Sequence, residues 1–145
     1  ERYWGENRFV LTGWGAGTYE WQDNANENTF TATLVPIFLY RATDQILFEG
    51  ELEFELLSDG DTEANLEYAQ ADIFLNDYLT VVGGTFLLPF GDFIQQLHPA
   101  WINKLASFPL PFREEGGLLP FSDVGFQLRG GTGLLDKEGV DVEYT

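Results

Sequence analysis

The strictest constraint on the fold is the alternation in residues 46–56, "ILFEGELEFEL". Ile46, Phe48, Gly50, Leu52, Phe54 and Leu56 fall on one parity, and Glu49, Glu51, Glu53 and Glu55 fall on the other. A β-strand is the regular element that places alternate residues on opposite faces. With a rise of ~3.3 Å per residue, the carboxylates follow one another at about 7 Å along one face. We therefore predict a strand with one apolar face and one acidic face.

The same period recurs along most of the chain and predicts an all-β protein. In residues 64–75 the alternation is mixed, which predicts a bulge and leaves open which face each residue takes. Pro36 removes one ladder donor from its strand, so an irregularity is expected there too. The predicted strands are residues 8–20, 29–41, 45–57, 64–75, 78–88 and 123–130, and a further alternation begins at Val140.

The links between these strands alternate between short and long. The second and fourth are the minimal "RATD" and "ND", whereas the first, third and fifth are longer or more polar. Short links force neighbouring strands to pair antiparallel. Long strands of period two, with short turns at one end and long loops at the other, are typical of outer-membrane barrels. We therefore predict an antiparallel up-and-down transmembrane β-barrel.

Composition excludes several other classes. The formal net charge is −17, from 24 acidic and 7 basic side chains, which would repel a nucleic acid backbone. No run approaches the ~18 apolar residues of a transmembrane helix. Cysteine is absent, and the only histidine, His98, has no metal-ligand or catalytic pattern around it. We predict neither a cofactor nor an enzymatic activity.

The fifth link, residues 91–122, combines prolines with apolar side chains. Its prolines prevent a regular strand or a long helix, and it is too apolar to extend freely into water. Loops of this length are usually functional. We predict that it folds back into the barrel and constricts the pore. The predicted constriction residues are Phe93, Leu97, His98, Trp101, Lys104 and Arg113.

Two phrases in residues 75–131 carry a resemblance. "GTFLLPFG" (84–91) precedes the long link, and "SDVGFQLRG" (122–130) follows it. This arrangement resembles the porins of Gram-negative outer membranes, nearest to the phosphate-selective porin O and P type, over about residues 8–131. The resemblance implies passive diffusion of small hydrophilic solutes or ions through the outer membrane. It also implies contact with the lipid bilayer and a homo-oligomer such as a trimer. Residues 1–145 would be the N-terminal portion of a larger barrel, with residues 91–122 as its third loop.

The chain departs from the phosphate-selective pattern in its charge. Selecting phosphate requires fixed cations or hydrogen-bond donors along the pore. The predicted pore-lining residues are instead mainly acidic: Glu49, Glu51, Glu53, Glu55, Glu67, Gln127 and Arg129. This balance favours cations or neutral solutes.

Two other classes of function remain open at the level of sequence. In a soluble β-sandwich or barrel the glutamates would form a solvated outer face. Such a domain could be a binding module, or a hydrolase that uses carboxylate pairs separated by about 5 to 9.5 Å. The chain could also be a porin-like sheath or scaffold within a larger envelope complex. Strand alternation alone does not separate these readings.

Overall fold

In the part of the chain that the structure describes, the protein is all-β and has seven strands. The computed structural model describes residues 8–21, 28–91, 93–97, 99, 102–103, 109–112, 118–135 and 140–144. The strands are β1 (Phe9–Glu20), β2 (Thr29–Arg41), β3 (Ile46–Leu56), β4 (Thr62–Asn76), β5 (Leu79–Leu87), β6 (Ser122–Leu135) and β7 (Val140–Tyr144). All of the predicted strands are present, and β6 extends beyond its predicted end at Gly130.

Each strand pairs antiparallel with the next, in the order β1 to β7. Strands β1 to β6 form one continuous sheet, in which β6 pairs with β5 through residues 122–129. Strand β7 pairs with the following part of β6, residues 130–135. The predicted sequential antiparallel meander is therefore confirmed. Within the described ranges β1 pairs only with β2, so the sheet is open and is not a closed barrel.

The links differ in length between the two ends of the sheet. At one end, residues 42–45 connect β2 to β3, and only Asp77 and Tyr78 connect β4 to β5. The amide of Tyr78 donates to Asn76 Oδ1 at 2.9 Å, which closes this tight turn. At the other end, residues 57–61 connect β3 to β4, and residues 88–121 connect β5 to β6. We call the first end the short-link end.

A bulge in β4 explains the mixed alternation of its sequence. Glu51 lies opposite Tyr68, but the next residue, Leu52, lies opposite Leu66. Glu67 is therefore the extra residue. Even-numbered residues of β4 lie on one face before it and on the other face after it. The irregularity expected at Pro36 is smaller. The β2–β3 ladder omits Val35 and Pro36 but keeps the same register on both sides of them.

Two glycines lie where neighbouring backbones approach closely. Gly13 has φ +149° and Gly84 has φ +128°. A Cβ on Gly13 would overlap the carbonyl oxygen of Val35, and a Cβ on Gly84 would overlap that of Ala69. Only a residue without a side chain fits this conformation and this spacing.

The long link contains only single turns of helix in its described part. Residues Phe93–Leu97 form a π-helical turn and Leu110–Phe112 a 3-10 turn. The amide of Leu88 donates to the carbonyl of Phe121 at 3.0 Å, so the link begins and ends at adjacent positions. Among the described residues, no helix has the length and apolar character needed to cross a membrane.

Candidate functional site

One face of the sheet is apolar and exposed. Phe9 and every second residue of β1 after it lie on this face. The register adds their cross-strand partners on the following strands, as far as Leu128 on β6. Phe126 is 88% exposed and Val124 is 74% exposed. The exposed large side chains of this apolar face are Phe9, Leu11, Tyr19, Phe30, Leu34, Tyr40, Phe48, Leu56, Leu66, Ile73, Val124, Phe126 and Leu128.

The opposite face carries the polar side chains and is more buried. Val35 and Val82 are completely buried on it, and Glu51, Asp72 and Gln127 are only 5%, 7% and 8% exposed. We call it the carboxylate face. Its acidic and amide members on β3 to β6 include Glu49, Glu51, Glu53, Glu55, Glu63, Asn65, Gln70, Asp72, Asp123 and Gln127.

This distribution is the reverse of that in a half-buried soluble sheet. In water, an antiparallel sheet covers its apolar face and leaves its polar face solvated. Here large aromatic and aliphatic side chains remain exposed on β1 to β4 and β6, while Glu51, Gln70, Asp72 and Gln127 are buried. A contiguous exposed apolar surface of this kind marks contact with a membrane or another protein.

A polar network crosses the centre of the carboxylate face. Glu49 lies opposite Gln70, which lies opposite Gly84. The Gln70 side-chain amide donates to both carboxylate oxygens of Asp72, at 3.0 and 3.3 Å. On β6, Arg129 Nε donates to Gln127 Oε1 at 2.6 Å. In the neighbouring row, Val82 of β5 lies between Asp72 of β4 and Gln127 of β6.

Arg129 supplies the positive charge of this network. It interacts electrostatically with both Glu49 and Asp72. Glu49 and Asp72 also lie close enough to repel each other. One guanidinium therefore faces two carboxylates, and the centre of the network has a net negative charge.

A second contact lies beside this network. Tyr68 lies directly opposite Glu51, and their side chains form a hydrogen bond. The phenol donates to the carboxylate, which satisfies one oxygen of a buried acid. Glu51 therefore sits in a fixed position rather than in open solvent.

The other predicted acidic pore residues lie toward the opposite end of β3. Glu53 lies opposite Asn65, and Glu55 lies opposite Glu63. All four glutamates of β3 share the carboxylate face by register. Glu67 occupies the bulge and is half-buried.

The described part of the predicted constriction is small. The ring of Phe93 stacks on that of Phe112, with centroids 5.3 Å apart. Leu97 is exposed, whereas the neighbouring Ile94 is completely buried. His98, Trp101, Lys104 and Arg113 lie outside the described residues. Packing of this link against the inner wall stays a prediction.

Sequence reasoning missed three members of the polar network: Tyr68, Gln70 and Asp72. The bulge at Glu67 hid their face, since it breaks the parity that defines the earlier part of β4. A signal was nevertheless present. In "YAQADI" the three polar residues alternate with Ala69, Ala71 and Ile73, which would have assigned their face if β4 had been read in two halves.

The carboxylate face is suited to attract cations more than to hold one. Among the described residues, no group of three or more histidine, aspartate or glutamate side chains could coordinate a metal ion. Comparison of the chain with protein-family models, curated proteins and solved structures finds no match. Functional conclusions therefore depend on the geometry of the two faces.

Proposed function

We propose that this chain forms part of a Gram-negative outer-membrane β-barrel, through which small hydrophilic solutes diffuse with a preference for cations. The observation that carries the proposal is the reversed burial of the sheet. Large apolar side chains are exposed on one face, and the polar side chains at the centre of the other face, Glu51, Gln70, Asp72 and Gln127, are buried. A transmembrane barrel requires this arrangement, because its outside contacts lipid and its inside contacts water.

The exposed face has the chemistry of a lipid-contacting surface. Its large side chains are Phe, Tyr, Leu, Ile and Val, and the register keeps the glutamates of β3 off this face. In hydrocarbon, a charged residue at mid-depth would cost about 2 to 4 kcal/mol. In water the same surface would favour aggregation.

The carboxylate face has the chemistry of a channel wall. Glu49, Glu53 and Glu55 are half-buried and lie in file along β3. Carboxylates in a confined aqueous lumen create a negative potential that raises the local concentration of cations. Of the cations on this face, Arg129 already faces Glu49 and Asp72, so its charge is largely compensated. This balance supports a preference for cations over phosphate.

Reversal potentials across a salt gradient test this selectivity. We expect the parent protein in planar bilayers to prefer cations. Replacing Glu49, Glu51, Glu53 and Glu55 by glutamine should move the reversal potential toward the non-selective value. The shift should be larger at low salt, because the Debye length falls from about 10 Å at 0.1 M to about 3 Å at 1 M.

A matched control neutralises four carboxylates that lie in links rather than along β3. Asp44, Asp59, Asp61 and Asp77 are exposed and lie in the links between strands. Their replacement by asparagine removes the same charge and should shift the reversal potential less. A parent without cation preference, or equal shifts in the two variants, would remove the glutamate file from the conduction path. That result would favour the alternatives of a soluble β-domain or of a scaffold within an envelope complex.

A further inference from the structure

A cavity lies at the short-link end of the carboxylate face and shares one residue, Glu49, with the glutamate file of β3. Its volume is about 330 Å³, and it lies between strands β1 to β4. Val10, Leu39, Leu47 and Phe74 form its apolar walls. Sites for small molecules are mostly apolar clefts of about 300 to 1,000 Å³ with a few convergent polar groups. This cavity is at the lower end of that range.

The charged groups of the cavity are arranged in pairs. Arg8 and Arg41 are cross-strand neighbours, since the amide of Arg41 donates to the carbonyl of Arg8 at 2.8 Å. Both also line the cavity. Like charges that face each other across two strands destabilise the pair. An anion bound between the two guanidinium groups would offset this repulsion.

The ion pair that Arg41 forms within the protein leaves room for such an anion. Arg41 contacts Asp44 at 3.3 Å, but the Asp44 side chain is fully exposed. Ion pairs this exposed contribute little to stability. Arg41 Nε also donates to the carbonyl of Thr43 at 3.3 Å, so the turn holds the guanidinium in place. The group is therefore oriented without being neutralised by a strong partner.

The remaining charge in the cavity, Glu49, sets the orientation of a ligand. Its carboxylate interacts with Arg129 on the other side. A ligand cation would have to compete with this contact, whereas a ligand anion would be repelled from Glu49 toward Arg8 and Arg41. The apolar part of the ligand would then lie along Leu39 and Leu47.

From this geometry we propose that the cavity binds a small monocarboxylate with a short apolar body. Its carboxylate contacts Arg8 and Arg41, and its hydrocarbon part contacts the walls formed by Val10, Leu39, Leu47 and Phe74. The proposal goes beyond diffusion through a pore and does not rest on it, because the cavity is formed by β1 to β4, by Arg8 just before β1 and by the link between β2 and β3.

Methyl NMR with hexanoate as the probe tests the proposal. The chain is studied in lipid nanodiscs, or in buffer if it folds there. We expect saturable shifts at the methyl groups of Val10, Leu39 and Leu47, and none at Leu128 on the apolar face. Hexanol and hexylammonium have the same hydrocarbon body and should bind much more weakly. Equal binding of all three probes, or no saturable shift at millimolar hexanoate, would overturn the proposal.

Variants separate the two parts of the recognition. Arg8→Gln and Arg41→Gln should each weaken hexanoate binding about tenfold, which corresponds to roughly 1.4 kcal/mol. Arg8→Lys and Arg41→Lys keep the charge and should retain more affinity, which controls for disturbance of the turn. Leu47→Ala should weaken hexanoate more than acetate, and Leu128→Ala should change neither. Unchanged affinity in both glutamine variants would contradict the assigned role of the arginine pair.

Discussion

At the scale of single residues, the sheet depends on a glycine that no other amino acid can replace. Gly84 has φ +128°, and a Cβ there would overlap the carbonyl oxygen of Ala69. Gly84 also lies opposite Gln70, in the row that contains the polar network. A side chain at this position would push β4 and β5 apart where the network needs them close.

Gly84→Ala should therefore destabilise the fold. Backbone strain of this kind costs about 1 to 3 kcal/mol, to which the overlap with Ala69 adds. Gly50→Ala is the matched control, because its Cβ would lie 3.7 Å from the carbonyl oxygen of Tyr68, an ordinary contact. Urea unfolding midpoints measure both variants. Equal midpoints for the two would show that the close approach at Gly84 does not limit stability.

At the scale of elements, the bulge in β4 reconciles an irregular sequence with two uniform faces. Before the bulge Leu66 is on the apolar face, and after it Tyr68 is on the carboxylate face. Glu67 lies between them at the point where the register shifts. Deleting it would leave Leu66 and Tyr68 as consecutive residues on opposite faces, as in a regular strand.

We therefore expect deletion of Glu67 to preserve the sheet, with only a local loss of twist. Deletion of Asp72 is the contrasting variant. The strand would then have to place Gln70 on the apolar face or Ile73 on the carboxylate face, since a shift of one residue exchanges faces. Circular dichroism and urea unfolding compare the two deletions. A Glu67 deletion as damaging as the Asp72 deletion would contradict the assigned bulge.

The link between β5 and β6 carries a prediction about conductance. Ile94 is completely buried, so part of the link packs against the protein. If the link lies in the lumen, deleting residues 93–117 should raise single-channel conductance, because a wider path conducts more ions. A deletion variant with the same selectivity and the same conductance as the parent protein would place the link outside the pore.

The sequence predicted the strands better than it predicted the site. Period two over β3 fixes four glutamates on one face, because each side chain must alternate. The same rule failed locally in β4, where one extra residue changes the parity and concealed Asp72. The contact of Arg129 with Glu49 and Asp72 could not be predicted, because it joins strands β3, β4 and β6 and depends on their register. The spacing of residues in the sequence determines which face each side chain takes within one strand. It does not determine the register between neighbouring strands.

At the scale of the whole molecule, the two faces of the sheet differ in chemistry. The meander keeps sequential strands adjacent, so the alternation of each strand adds to a continuous apolar face and a continuous polar face. Exposed side chains such as Phe126 and Val124 gain a favourable environment only when that face is covered by lipid or by another protein. The proposed function follows from assigning lipid to one face and water to the other.

Site-directed spin labelling tests this assignment most directly. The chain has no cysteine, so single cysteines can be introduced one at a time at residues 46–56 of the protein in bilayers. Labels at even positions, which share the face of Phe48, should be accessible to oxygen dissolved in lipid. Labels at odd positions, which share the face of Glu49 and Glu51, should be accessible to a water-soluble nickel complex. Two results would contradict the account: labels at even and odd positions that are all accessible to the nickel complex, or accessibilities to oxygen and to the nickel complex that do not alternate from one position to the next.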